Sequence, residues 1–328
     1  MKAIVQDQFG GIETLLFKDI ATPEPKEKEV LVKVKAFGIN RMDIVQRLGK
    51  YPPPPGASEI IGVEVSGEIA KVGSQVTKYQ VGQEVFGLMG GGAYAEYAII
   101  HEDLAILKPK ELSFIQAATI PEVWFTAYQA LHLVGNIKQG DDVLIHAGAS
   151  GVGLSAIQLA KRAGARNVYV TAGSADKIEF CKSYGATQGF NYKETNFNEE
   201  ILKVTENRGV DLIIDFIGGS YWNNNINSLA LDGRLVILGT MGGPNVSETN
   251  IGVILRKRLR VQGSTLRSRT VEYQSKLAKV ISDEIAPAII SGELKHNICK
   301  EFDWNQIGEA HNYMEQANNI GKIVATIN

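Results

Sequence analysis

Cysteine is nearly absent: Cys181 and Cys299 are the only thiols in 328 residues. Two are too few for a disulfide scaffold, and they stand too far apart for a CxxC metal or redox pair. A reducing compartment is therefore expected. No run of about 18 apolar residues occurs, so no membrane-spanning helix is expected. The N-terminus MKAIVQDQFG enters an alternating, strand-like pattern with no apolar signal core, so the chain reads as cytosolic and full length. Basic excess is missing too, with 34 Lys and Arg against 36 Asp and Glu. That balance excludes a nucleic acid as the main ligand, although a local pocket can still hold a small anion. The five histidines, His101, His132, His146, His296 and His311, lie scattered with no metal-ligand spacing.

What is present is enough apolar sequence, 44% against 21% charged, to build two cores in a chain of this length. From Met1 to about Pro121 the texture is β-rich: EVLVKVKAFGIN, GVEVSGEIAKVG, VGQEVFGL and GAYAEYAII, interrupted by glycines and by the stiff Pro52–Pro55 loop. This predicts a partly open barrel. From about 122 strands alternate with amphipathic helices, in DVLIHAG, LSAIQLAKRAG, NVYVTAG, KIEFCKSYG, GFNYK, VDLIIDFIG and GRLVILGT. That alternation predicts a parallel sheet with helices on both faces. VILRKRLRVQGS is expected to form the edge strand of that sheet, and an edge strand needs a partner or a cover. After about 265 a long helical stretch, a short helix and the strand KIVATIN are expected to return to the first module. The parallel sheet then sits in the chain as an insertion.

HAGASGVG, residues 146 to 153, joins a predicted strand, Asp142 to His146, to a predicted helix, Leu154 to Ala163. In this context glycines cradle a diphosphate on backbone N–H groups at a helix N-terminus. Gly148 and Gly153 hold the outer places of the GxGxxG fingerprint. Ser150 stands in the middle, where backbone and pyrophosphate approach most closely. A tight turn without a ligand is the plainer reading. The next strand ends in Thr171, Ala172, Gly173 and Ser174, with no carboxylate for a ribose 2′-hydroxyl, which argues against NAD. Ser174 and Lys177 instead suit a 2′-phosphate and so NADPH. The alternative is that Asp176 and Glu179 simply balance Lys177.

Domain order, glycine run and β-rich first module resemble the medium-chain dehydrogenase/reductase superfamily. Zinc-dependent members carry a cysteine in the segment here written FGINRMD and Gly-His-Glu in the segment here written IIGVEVSG. This chain has Asn40 and Val63 there, and no structural-zinc cysteine loop, so no metal is expected. Without a Lewis acid, hydride addition suits an acceptor that delocalises the resulting charge, such as a quinone or a conjugated enone.

The stretches GINRMD, LGKYPPPPGAS, AATIPEVWFTAYQAL, LIHAGASGVG, VTAGSADK, GFNYK, DFIGGSYWNNN, LRSR and NNIGKIV resemble the zinc-independent NADPH:quinone oxidoreductase (zeta-crystallin) family, especially its tumour-suppressor-inducible animal members. The resemblance implies an α/β protein: a β-rich GroES-like catalytic domain (1–121 and 266–328) with an inserted doubly wound Rossmann domain (122–265). It implies that Asn40 and Tyr51 line the acceptor side, Tyr51 also touching cofactor, and that Thr126 meets the nicotinamide end. Ser150, Gly151 and Val152 would contact the pyrophosphate and nicotinamide ribose. Gly173, Ser174, Lys177 and Tyr192 would take the 2′-phosphate. Ile217, Gly218, Gly239, Thr240, Met241, Ser264, Thr265, Leu266 and Asn319 would close around the rest. Plainer roles exist: Tyr51 stiffening its proline loop, Tyr192 packing a strand, Thr126 packing or capping a helix. Bacterial members have a second tyrosine where this chain has Val45, and a C-terminal arginine where it has Asn318 and Asn319.

The expected activity is therefore NADPH-dependent, metal-independent quinone reduction, by hydride or by single electrons, in a cytoplasmic homodimer. An NADPH-dependent enone or alkenal reductase, or a non-catalytic NADPH-binding protein of the crystallin kind, is the alternative.

Overall fold

A computed structural model of the chain describes residues 1–327. Two compact units divide it, one made of Met1–Phe125 with the segment from Leu266 onward, the other of Thr126–Thr265. In chain order the first unit holds β1 (Lys2–Val5), β2 (Leu16–Asp19), β3 (Glu29–Ile39), α1 (Arg41–Arg47), β4 (Glu64–Val72), β5 (Glu84–Leu88), β6 (Tyr97–His101), β7 (Ala105–Leu107) and α2 (Phe114–Ala117). Helix α3 (Pro121–Tyr128) spans the boundary and runs into a π-helical turn, Gln129–Val134. The second unit continues with β8 (Asp142–Ile145), α4 (Gly151–Arg162), β9 (Asn167–Ala172), α5 (Ala175–Ser183), β10 (Gln188–Asn191), α6 (Phe197–Val204), β11 (Val210–Asp215), α7 (Trp222–Ser228), β12 (Leu229–Ile237), α8 (Ile251–Lys257) and β13 (Arg260–Gly263). The chain then returns to the first unit with α9 (Val271–Val280), α10 (Ala286–Ile290), β14 (Ile298–Asp303), α11 (Ile307–Glu315) and β15 (Lys322–Thr326).

Strand β3 is the axis of the first unit. Its β-branched run, Val30, Val32 and Val34, is buried, as suits residues that pack on a pleated surface. Register shifts against β4 at Leu31/Val32 and Val34/Ala36 bend it. Its first half then pairs with β6 and its last residues, Ala36 to Ile39, with β15. Phe37, Ile39, Ile61, Tyr94, Trp304 and Ile323 pack together in the core. This pairing sets Ile323 opposite Ile39, which brings Lys322 beside Asn40.

In the second unit the sheet order is β10-β9-β8-β11-β12-β13, and every pairing is parallel. The central strands are buried on both faces and read as near-continuous apolar runs, VLI in β8 and LII in β11. The chain order reverses beside β8, so the loops after β8, β9 and β11 converge on one carboxyl edge, where doubly wound sheets bind ligands.

VILRKRLRVQGS does not form one strand. Its first part is α8, capped where the Asn250 side chain accepts the Gly252 N–H and ended by Arg258 in the left-handed region at φ 52°. Val253 and Ile254 pack toward the sheet core from this helix, so only Arg260–Gly263 is left to pair with β12. The helix expected from Leu154 begins at Gly151, because Ser150 caps it. Among the described residues no helix is long and apolar enough to cross a membrane.

Candidate functional site

The glycine run turns sharply between β8 and α4. Ala147 takes a left-handed φ of 49°, a strain that non-glycine residues tolerate only where their surroundings impose it. Two glycines are required by space. A Cβ on Gly148 would come within 2.7 Å of Val170 Cβ, and one on Gly153 within 2.5 Å of the Ala147 and Gly148 carbonyl oxygens. Ser150 needs no such freedom, since its backbone is extended at φ −73°, ψ 164°. Its Oγ accepts the Gly153 N–H at 3.0 Å, so the serine is the N-cap of α4. Gly151 and Val152 follow in the first turn, half-buried.

A second helix N-terminus lies beside it. Ser174 caps α5, its side chain accepting the Lys177 N–H at 3.4 Å. A Cβ on Gly173 would stand 2.8 Å from Tyr192 Oη and 3.3 Å from Lys193 Cε. The bare glycine thus lets a phenol and a second lysine close on the end of α5. Lys193 follows Tyr192 directly in GFNYK, where its spacing alone does not mark it as a site residue. An open cavity of about 360 Å³ adjoins this corner, lined by Tyr192, Lys193, Phe197, Ser220, Tyr221 and Asn224 among others.

The loops after β11 and β12 complete the edge. Asp215 accepts the N–H groups of Ile217 and Gly218 at 2.7 and 3.0 Å. Burial pushes its carboxyl up to about 6, against these two bonds. Gly218, at φ 78°, lies with its would-be Cβ 3.0 Å from Thr240 Cα, and Met241 N–H donates to the Phe216 carbonyl at 3.1 Å. Ile217, Gly218, Gly239, Thr240 and Met241 are therefore one paired turn. Ser264 follows β13 and donates its N–H to the Ile237 carbonyl at 2.9 Å; Thr265 is exposed. Thr126 is buried on α3. Beneath the edge, His146 is enclosed by Thr171 at 2.9 Å and Asn225 at 2.7 Å. Burial pushes its imidazole down to about 4.

Leu266, Asn319, Asn40 and Tyr51 belong to the first unit. Leu266 is buried, its carbonyl accepting from Gln274 Nε2 at 2.9 Å. Asn319 donates its side-chain amide to the Gly321 carbonyl at 3.0 Å. Asn40 caps the start of α1, and its side chain is held from both ends: Lys322 Nζ donates to Oδ1 at 2.7 Å, and Nδ2 donates to Glu64 Oε1 at 2.8 Å. Lys322 also donates to Glu64 Oε1 at 2.5 Å. Glu64 Oε2 accepts the Glu122 N–H at 2.8 Å. Tyr51 is half-buried, with the Arg267 guanidinium 5.7 Å from its ring centre. Desolvation, and secondarily Glu122, push its phenol up, so it remains a proton-bearing donor at neutral pH.

Behind Asn40 runs a buried polar row. Asp43 accepts the Asn40 N–H at 2.8 Å and the Tyr94 hydroxyl at 3.1 Å. Tyr94 also meets His311 Nε2 at 3.0 Å, and Arg47 meets His311 Nδ1 at 3.3 Å. Burial pushes Asp43 up to about 7 and, together with Arg47, His311 down to about 3. Among the described residues Asp43 Oδ1 and Arg267 Nη2 are buried with no hydrogen-bond partner. Glu64, Lys322, Asp43 and Arg267 are not among the residues that the resemblance places at the site. Glu64 did leave a signal, the glutamate surviving in GVE after the histidine is gone.

Residues 26–110 match the family model described as an alcohol dehydrogenase GroES-like domain, and residues 151–283 the one described as zinc-binding dehydrogenase. A resident zinc ion does not fit the donors of this chain. Asn40 and Val63 provide neither thiolate nor imidazole, and the Glu64 carboxylate is occupied by an ammonium. Among the described residues no group of three or more His, Cys, Asp or Glu could hold a metal.

A quinone oxidoreductase of Lama guanicoe is 33% identical over 99% of this chain and 97% of its own. The crystal structure of Escherichia coli quinone oxidoreductase complexed with NADPH is 30% identical, covers all of both chains and superposes with a TM-score of 0.90. CurK enoyl reductase, also 30% identical, covers 100% of this chain and 99% of its own, with a TM-score of 0.85. A paired glycine turn on a doubly wound sheet, a GroES-like unit with an ammonium where zinc ligands would stand, and full-length identity above 30% agree: this chain belongs to the quinone oxidoreductase family of medium-chain dehydrogenases/reductases.

Proposed function

We propose that the protein is an NADPH:quinone reductase. The observation that carries the cofactor assignment is Gly173, whose missing side chain lets Tyr192 and Lys193 reach the N-terminus of α5 beside Ser174 and Lys177. Two lysines, a phenol and a helix N-terminus suit a dianionic 2′-phosphate; a plain 2′-hydroxyl would call for a carboxylate there. Ser150, Gly151 and Val152 hold the diphosphate on the first turn of α4. Ile217, Gly218, Gly239, Thr240, Met241, Ser264 and Thr265, with Thr126, are assigned to the remainder of the cofactor. Tyr221, which lines the adjoining cavity, suits a purine ring.

Bound NADPH supplies the reducing equivalents. The protein's own part is to orient the acceptor and stabilise the charge it takes on. Asn40 and Tyr51 serve as neutral hydrogen-bond donors to the acceptor oxygens. Neutral donors suffice for a quinone, because its reduced anion spreads charge over a ring. The test is NADPH oxidation with an ortho-quinone. Turnover is expected; NADPH binding without turnover with any quinone would reduce the protein to a cofactor-binding role.

A second reading, reduction of an enone or alkenal, is favoured by the likeness to an enoyl reductase and by the proton that Tyr51 keeps. Matched turnover of an ortho-quinone and an alkenal separates the two.

The protein acts as a homodimer in the cytoplasm. Strand β13 is the edge of its sheet, and the adjoining α8 leaves Ile251 and Leu255 72% and 79% exposed. An open edge beside an apolar helix calls for a cover. Sedimentation reads the state. Both cysteines are free thiols, which suits a reducing compartment.

A further inference from the structure

We propose that Lys322 and Glu64 are positioning residues for the acceptor reaction, a buried ion pair that locks the Asn40 side-chain amide so that it presents an N–H to the acceptor.

Asn40, Glu64 and Lys322 are 7%, 0% and 3% exposed. An asparagine amide can be turned end for end at little steric cost, which exchanges a donor for an acceptor. Here both ends are specified by charge: the ammonium requires the carbonyl end and the carboxylate requires the amide nitrogen. Turning the amide would set N–H against N–H and oxygen against oxygen, so the lock has one orientation. With one N–H given to Glu64, the second is the only donor left on the group.

The pair is built in from several elements. The three ammonium hydrogens of Lys322 go to Glu64, Asn40 and the Ile39 carbonyl at 2.5, 2.7 and 3.3 Å. Glu64 fits because β3 has Gly38 there; a Cβ on Gly38 would lie 2.1 Å from Glu64 Oε1. Its second oxygen is tied to the start of α3 through the Glu122 N–H. Burying two charges contributes little stability compared with an apolar pair of the same shape. An ion pair held this way therefore points to orientation as its purpose.

The lock rests on the reading that Asn40 faces the acceptor. In quinone reduction, NADPH is oxidised to NADP⁺ as the quinone gains two electrons and one proton. The resulting hydroquinone monoanion takes its second proton from solvent. A fixed N–H stabilises the negative oxygen only if it already points there when charge develops.

The test replaces both charges together, Glu64→Gln with Lys322→Met, so that neither is left buried alone. This double variant is expected to fold and to bind NADPH with parental affinity, and to reduce an ortho-quinone with kcat lowered about 10- to 100-fold. Asn40→Ala should lower kcat by a similar factor in the parent and by little more in the double variant, because the two changes remove one device. Parental kcat in the double variant, or factors that simply multiply, would overturn the proposal. A measurement without turnover separates it from the function itself. With ¹⁵N-asparagine labelling, the Asn40 side-chain amide, assigned by its loss in Asn40→Ala, should resist solvent exchange in the parent and lose protection in the double variant. Equal exchange in both would overturn the lock even if the parent reduces no quinone. Protection lost alongside an inactive parent would keep the lock and sink the quinone reading.

Discussion

Ser150 Oγ accepts the Gly153 N–H at 3.0 Å, so the residue in the middle of the glycine fingerprint is a helix cap. The hydroxyl caps α4 through its side chain, which a glycine could not do. Ser150→Val should lower stability by about 1 kcal/mol through the lost cap. It should also weaken NADPH binding by crowding the diphosphate. Tryptophan-fluorescence titration and a thermal melt read the two effects separately. Weaker stability with unchanged affinity would leave Ser150 a turn residue only.

Lys177 and Lys193 flank the corner beneath Gly173. Lys177→Ala should erase most of the preference for NADPH over NADH, and Lys193→Ala part of it, each weakening NADPH by about tenfold while sparing NADH. Isothermal titration with both nucleotides at fixed salt decides this. Equal affinity for the two nucleotides in the parent would refute the 2′-phosphate assignment.

Tyr51 distinguishes the two acceptor readings. As a neutral donor to a quinone oxygen it is worth about tenfold in turnover, and as the acid that protonates an alkenal carbon about 100-fold or more. Tyr51→Phe should therefore cost an ortho-quinone less than an alkenal. A larger loss with the quinone would overturn the proposed roles.

Protonation of Asp43 links stability to pH. Its carboxyl is pushed up to about 7 from an ordinary 3.8, chiefly by burial and against the pull of the Asn40 N–H, Lys322 and Tyr94. The folded chain keeps this proton between roughly pH 4 and 7 while the unfolded chain has lost it, so the group's contribution falls as pH rises through that window. His146, His296 and His311, pushed down to about 4, 3 and 3 by burial, act in the opposite direction. Their unfolded forms gain protons below about pH 6.5, so stability falls there as pH drops. Asp43→Asn removes only the first effect. Relative to the parent the variant should be more stable at pH 8 than at pH 5, by on the order of 2 kcal/mol. A difference that does not vary with pH would mean that Asp43 is ionised throughout.

Most of the second unit was legible because its signals are local. A strand, a glycine turn and a helix follow one another within HAGASGVG and its flanks, and the missing carboxylate after β9 can be seen in four residues. VILRKRLRVQGS reads as a strand for a related reason. Its apolar run carries no period that tells strand from helix, and the Asn250 cap lies upstream of it. Lys193 was visible beside Tyr192, but its approach to Gly173 depends on how the end of β10 lies against the end of β9.

Local pattern by itself determined the doubly wound unit and the glycine turn, since each follows from which residue types stand near one another along the chain. Zinc was set aside through the resemblance, because Asn40 and Val63 stand where zinc-dependent relatives place their ligands. Tertiary structure alone decided what surrounds Asn40. Lys322 is 282 residues away from it, and Glu64 lies on another strand. Only the pairing of β15 with the end of β3 brings that ammonium to the amide. A charge buried by long-range strand pairing leaves no periodicity or spacing in the sequence.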